Sequence, residues 1–188
     1  EMVVGKFLAC FSLLAISLLL TVWLPLSVSM VADLDWGPVF AGYLASLLLG
    51  AAYLSIGLFV SARTDSQIVS LIVASLIGGL FYLIGSPGIT QLFGAPVNDL
   101  LSSLGSGSRF ESITRGVIDF RDLYFYLSLS AVFLAANVYS LEKENWASEG
   151  DSKSHFNWRL GTGLLVLNLL LANFWLSAIG SLRVDFTE

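Results

Sequence analysis

The chain has 188 residues, 56% of them hydrophobic and 12% charged, with a mean hydropathy of +0.81. A water-soluble domain cannot hide that much apolar surface, so the composition specifies an integral membrane protein. The formal net charge of −5 runs against a nucleic-acid partner, and the single cysteine, Cys10, excludes a disulfide within this chain and a cysteine-based metal site.

A membrane span needs about 20 apolar residues to cross about 30 Å of hydrocarbon. Five stretches qualify, near 7–32, 38–62, 67–85, 123–141 and 160–181, and none contains Asp, Glu, Lys, Arg or His. The expected fold class is therefore all-α and polytopic: five transmembrane helices, plus an amphipathic interfacial helix before the fourth. Ion-driven carriers place ionisable groups inside the bundle. Their absence from these stretches means that energy, if used, enters from outside the membrane, although neutral side chains and carbonyls can also bind cations. The N-terminal run is too long for a signal-peptide core and is preceded by Glu1. Both edges read as cut from a longer protein.

In the first stretch, Pro25 follows Trp23 and predicts a local bend. Asp33 and Asp35 fall in a short loop closed by Gly37-Pro38. With no His or third acid nearby, they read as solvated rather than metal-binding. The second stretch carries Gly42, Ser46 and Gly50 at four-residue spacing, with Gly57 further on. The third carries Ser70, Ala74 and Gly78. Small residues in this rhythm let helices approach closely in lipid, so both read as packing faces, with a substrate path as the alternative. The link through Arg63-Thr64-Asp65 is long enough only to turn, which makes the two spans antiparallel neighbours.

Residues 86–108 are rich in Gly, Ser and Pro, with a short helix expected over Val97–Leu104. Next comes the charged segment 109–126, read as one helix. Phe110, Ile113, Val117 and Phe120 form an apolar side; Glu111, Arg115 and Asp119 form a charged side at four-residue spacing, each opposite pair contributing roughly 0.2–0.5 kcal/mol. Charges at the bilayer centre cost on the order of 2.5–3.5 kcal/mol each or more, so this helix is expected to lie along the membrane surface. It reads either as a lid that sets how the fourth span enters the membrane or as an outer gate or docking face built on Phe110, Glu111, Arg115 and Asp119.

The fourth stretch has one amide, Asn137. Residues 142–159 form a polar linker in which His155 stands alone, so no metal site and no Ser-His-Asp set can be assembled. The fifth carries Asn168 and Asn173, amides suited to bonding a neighbouring helix. Domain boundaries fall at 1–141, 142–159 and 160–188. With Glu1–Lys6 on the cytoplasmic side, Lys6, Arg63, Lys143, Lys153 and Arg159 lie inside and Arg109, Arg115, Arg121 and Arg183 outside, five against four. Setting aside the three that stand among acids in the interfacial segment, the linker is inside and that segment outside.

Two stretches carry a family resemblance. Gly42-Tyr43-Leu44, Ile56-Gly57-Leu58-Phe59-Val60-Ser61 and Gln67-Ile68-Val69 resemble the middle of ABC-2 type permeases, nearest to the gliding-motility (GldF-type) branch. Arg115-Gly116-Val117-Ile118-Asp119 with Arg121-Asp122, leading into a span, is the more specific match. With Gly5-Lys6-Phe7-Leu8, it extends over residues 1–142. The tail, Ser181-Leu182-Arg183-Val184-Asp185-Phe186-Thr187-Glu188, resembles the opening of a GldG-type auxiliary subunit with an extracytoplasmic domain. The family has six spans where four precede this linker, which implies that two lie upstream.

The resemblance implies a multi-pass protein of the cytoplasmic (inner) membrane that forms the permease half of an ATP-driven exporter. Its partners would be a separate ABC ATPase holding ATP and Mg, a second permease copy, the extracytoplasmic domain and membrane lipid. The chain itself has no phosphate-binding Gly-x4-Gly-Lys-Ser/Thr loop, so it is read as a non-enzyme that holds no cofactor. Arg63 and Asp65, in the inner turn, are the candidate receivers of the ATPase stroke. The alternative is an assembly of the same type that moves no solute and acts mechanically on an extracytoplasmic partner.

Overall fold

A computed structural model describes residues 2–90, 105–146 and 183–185 and, within the last apolar stretch, residues 161, 163, 164, 166–168 and 171. The elements are α1 (Met2–Thr21), α2 (Trp23–Ser29), α3 (Trp36–Ser61), α4 (Gln67–Ile84), α5 (Pro87–Thr90), α6 (Ser106–Thr114), β1 (Val117–Asp119), α7 (Phe120–Trp146) and β2 (Arg183–Asp185). Four helical segments are long and apolar enough to cross a membrane: Met2–Ser29, Trp36–Ser61, Gln67–Ile84 and Phe120–Leu141. The described residues at 161–171 are helical, but most of the predicted fifth span, the helix expected over Val97–Leu104, Asn173 and the linker from 147 onward lie outside the described residues.

Local chemistry sets the boundaries. Pro25 has no N–H to offer the carbonyl of Thr21, and its ring crowds that carbonyl. The first span therefore breaks at Val22, whose N–H bonds Leu19 O at 3.1 Å, while Thr21 Oγ1 donates back to Leu18 O at 2.7 Å. Asp35, expected to be merely solvated, caps α3: its Oδ1 accepts from Gly37 N at 3.0 Å, one of the donors a helix start leaves open. Pro38 sits in the same first turn, where a missing N–H costs nothing.

The core lies between α3, α6 and α7. Ala41, Ala45 and Ala52 from α3 meet Ile113 from α6 and Phe125, Tyr126 and Leu129 from α7, with Tyr53, Phe81, Phe110 and Phe133 packed around them. The outer faces are bare hydrocarbon: Leu20 and Trp23 are each 75% exposed and Ile68 73%. Water does not tolerate apolar faces of that extent, whereas lipid does.

Three sequence expectations are corrected here. Segment 109–126 is not one helix. It ends at Thr114, turns at Gly116 with φ 88°, runs as β1 antiparallel to β2 in the register Val117↔Asp185, Ile118↔Val184, Asp119↔Arg183, and restarts as α7. Only glycine takes that φ without a steric penalty. The strand pair is also the one exception to an all-α fold among the described residues. Second, α1 includes Lys6 and α7 includes Arg121 and Asp122, so the helices run past the charges at which the spans were expected to stop; α7 also continues through Glu142-Lys143-Glu144 into the expected linker.

Third, the face of α3 buried among the described residues is not the Gly42, Ser46, Gly50, Gly57 stripe. Its buried residues are Ala41, Ala45, Ala52, Ser55, Ile56 and Val60. Of the stripe's three glycines, only Gly50 makes a tight contact, where a Cβ would come 2.5 Å from Leu14 Cδ2, while nothing lies within 4 Å of a Cβ at Gly42 or Gly57. On α4, Ser70 and Gly78 of the expected face are buried and Ala74 is half-buried; a Cβ at Gly78 would lie 3.7 Å from the Tyr53 ring.

Candidate functional site

Helix α6 divides its residues among three directions, and the candidate site is built around it. Phe110 and Thr114, one turn apart, line an open groove of about 490 Å³. Its other walls are Leu18, Thr21 and Pro25 at the break in the first span, and Val39, Gly42, Tyr43 and Ser46 at the start of α3. The groove is apolar except for hydroxyls. Thr21 Oγ1 and Tyr43 OH share a hydrogen bond at 3.0 Å, and Ser46 Oγ donates to Gly42 O at 2.8 Å. The glycine and serine of the expected packing stripe are therefore groove lining, and the bend at Pro25 makes room for it.

Arg109 and Ile113 point the other way, into the bundle, with 2% and 0% of their surfaces exposed. Arg109 Nη1 donates to Asp122 Oδ1 at 2.9 Å, with side-chain exposures of 2% and 5%. The guanidinium lies over the Phe125 ring, 4.4 Å from its centroid. Burial pushes Arg109 below its ordinary pKa, and the Asp122 carboxylate pulls it back; the side chain stays charged because a guanidinium titrates far above neutrality. Beside the pair, Tyr126 OH donates to Ser106 O at 2.7 Å and Tyr53 OH shares a hydrogen bond with Ser106 Oγ at 3.0 Å. One residue at the start of α6 is thus bonded to α3 and α7 together. Glycines allow this depth. A Cβ at Gly107 would come 2.5 Å from Tyr82 O, and one at Gly105 would fall on the backbone of Gly85.

Glu111 and Arg115 take the third direction. They approach to 3.7 Å with 40% and 76% of their side chains exposed, a contact worth about 0.5 kcal/mol or less. Of the four residues proposed for an outer gate or docking helix, Phe110, Glu111 and Arg115 share α6 or its cap, on different faces. Asp119 does not belong with them. It precedes α7, and its Oδ1 accepts from Arg121 N at 3.0 Å, which makes it the N-cap of that helix. The motif Arg115-Gly116-Val117-Ile118-Asp119 thus reads as left-handed turn, strand and cap.

At the far end of the bundle, Arg63 Nε donates to Ser140 Oγ at 3.1 Å, and its guanidinium stands 4.2 Å from the centre of the Phe59 ring. The turn is thereby tied to α7, while Asp65 is exposed. Asn168, predicted to bond a neighbouring helix, accepts from Tyr124 OH on α7. Sequence reasoning missed the Arg109–Asp122 pair and the Ser106 junction. The available signal was Gly116, a reversal point midway between an arginine and an acid. No group of three or more His, Cys, Asp or Glu among the described residues could hold a metal.

These features define the class: a mostly helical, membrane-embedded protein with several transmembrane helices. Comparison with family models, curated proteins and solved structures yields no match for the chain.

Proposed function

We propose that the chain is the permease portion of an ATP-driven transporter of the ABC-2 type, in the gliding-motility (GldF-type) branch, working as an exporter with a separate ATPase subunit and a second permease copy. The observation that carries the reading is the Arg-Gly-Val-Ile-Asp break. The residues that bear the resemblance are those that seat a short helix beside an open groove and launch the last permease helix. A groove bordered by a bent first span and an inserted helix can change shape when one helix rocks against another, the two-state behaviour that coupling to nucleotide requires. The test is purification of the full-length protein from its native membrane. An ATP-binding subunit in equal number with the permease is the expected result; a preparation that contains none, while intact by mass, overturns the assignment.

A second reading, mechanical transmission without solute movement, is favoured by one observation. Strand β2, at the head of the tail that resembles an auxiliary subunit, pairs with β1, which leads directly into α7. A shift of α7 would be handed through that ladder to whatever follows β2.

A further inference from the structure

Four hydroxyls line the groove beside Phe110, and the direction of each of their bonds follows from the backbone around it. Val22 N–H turns to Leu19 O at the Pro25 break, so Leu18 O takes the one proton of Thr21 Oγ1, at 2.7 Å. In the 3.0 Å contact between Thr21 Oγ1 and Tyr43 OH, the donor is therefore Tyr43. Ser46 Oγ donates to Gly42 O at 2.8 Å, and Thr114 Oγ1 donates to Glu111 O at 3.0 Å. A hydroxyl has one proton to give and two lone pairs to offer. All four protons are spent within the protein, so toward the groove these oxygens are acceptors. The carbonyl of Thr21, released by Pro25, adds a fifth. None of the four residues is buried, so a ligand in the groove can reach them.

Depth decides the charge of the matching group. Helix α3 has 26 residues, a length of about 39 Å. Centred on a hydrocarbon layer about 30 Å thick, it carries Tyr43, about 10 Å from its start, inside that layer. Lipid tails offer no donors there, and an ammonium is costly to bury at such depth. We propose that the groove holds a neutral single-chain lipid whose head bears hydroxyl groups, as a monoacylglycerol does. The head hydroxyls donate to Tyr43 OH and Ser46 Oγ, and the chain follows the apolar wall of Leu18, Val39 and Phe110. A volume of about 490 Å³ has room for roughly 16 groups the size of water at about 30 Å³ each, which suits one chain and a small head rather than two chains. The shared chemistry is an uncharged polyol donor, and a free polyol would bring the same donors without the chain. This inference is independent of the transporter reading; it needs only the membrane helices.

The test is native mass spectrometry of delipidated full-length protein with added monolauroylglycerol, methyl laurate, dodecylamine or glycerol. Monolauroylglycerol is expected to be retained about tenfold more strongly than methyl laurate, which has the same chain and no donor; that is the worth of one or two net hydrogen bonds. It is also expected to outlast dodecylamine. Gly42→Leu puts a side chain into the groove where nothing lies within 4 Å of a Cβ, and it is expected to abolish retention. Gly57→Leu, at a position equally open but outside the groove, is expected to keep it. Tyr43→Phe removes the phenolic oxygen and is expected to bring monolauroylglycerol down toward methyl laurate. Equal retention of those two probes overturns the proposal, as does dodecylamine binding at least as tightly, unchanged retention in Gly42→Leu or an unchanged preference in Tyr43→Phe. Glycerol binding as tightly as monolauroylglycerol overturns the lipid as the source and assigns the groove to a free polyol.

Discussion

Replacing Asp122 by Asn tests what holds α6 inside the bundle. The amide keeps the size and shape of the carboxylate and can still accept from Arg109 Nη1, now 2.9 Å from Oδ1, but it removes the charge that balances a guanidinium only 2% exposed. Removing one member of a buried pair typically costs about 3–5 kcal/mol, because the survivor is left charged and dry. Arg109 keeps its contacts with the Phe125 ring and Arg121 O in both proteins, and the amide can still accept from the guanidinium, which puts the net loss nearer about 3 than about 5 kcal/mol. For a chain of this size each kcal/mol moves the melting temperature by roughly 2–4 °C, so a fall of about 6–12 °C is expected in detergent-solubilised protein followed by tryptophan fluorescence. The double variant Arg109→Met with Asp122→Leu leaves no stranded charge and should recover most of the loss. An Asp122→Asn protein melting within about 2 °C of the parent, or a double variant losing the sum of the two single losses, would refute the argument that pairing rather than hydrogen-bond geometry secures the helix.

Gly116→Ala forces a side chain into the left-handed region at φ 88° and should cost about 1–2 kcal/mol, with Gly116→Asn costing less; chemical denaturation of the two variants gives the order. Gly105→Ala sets a methyl on the backbone of Gly85, whereas Gly50→Ala meets only the end of the Leu14 side chain, which can swing away. The first should abolish a monodisperse peak in size-exclusion chromatography and the second should not; the reverse order would refute a close backbone contact between Gly85 and Gly105. If the proposed function holds, reversing charge at Arg63 and Asp65 together should lower transport-coupled ATPase activity in the complex reconstituted with its ATPase subunit, and unchanged coupling would remove that turn from the proposed coupling path.

The parts of the fold that were legible in the sequence are those governed by one strong term. Twenty-odd apolar residues without charge have no favourable state but a helix in lipid, and Pro25 must disturb a helix wherever it stands. The parts that were not legible are those in which two signals compete. Glu111, Arg115 and Asp119 keep a helical rhythm across Gly116, and counting that rhythm predicts one amphipathic helix. The rhythm contributes a few tenths of a kcal/mol per pair, less than the strand pairing, the Asp119 cap and the Arg109–Asp122 pair that the glycine turn permits, so the chain breaks there. The α3 packing face was misplaced for a related reason. Glycine spacing is conspicuous, but Ala41, Ala45 and Ala52 also permit close approach, and they lie on the side that faces α6 and α7.

An acid inside a membrane helix ordinarily marks a proton or ion path, and Asp122 lies within the Phe120–Leu141 segment. A relay needs a next site and a group free to exchange its charge. Asp122 is held by Arg109 in the first turn of α7, and the other charged side chains in the four apolar segments, Lys6 and Arg121, stand near segment ends. A charge so placed acts as a fixed anchor, and neutralising it should lower stability without creating or removing a dependence on the proton gradient. Under the proposed function, the work of these helices is delivered at their ends. Among the described residues, ties at those ends include the Arg63 turn, bonded to α7 through Ser140, and the β1–β2 ladder at the other end of the same helix. Helix α7 runs from one to the other, so under the proposed function a push on the Arg63 turn would be carried along α7 toward β2.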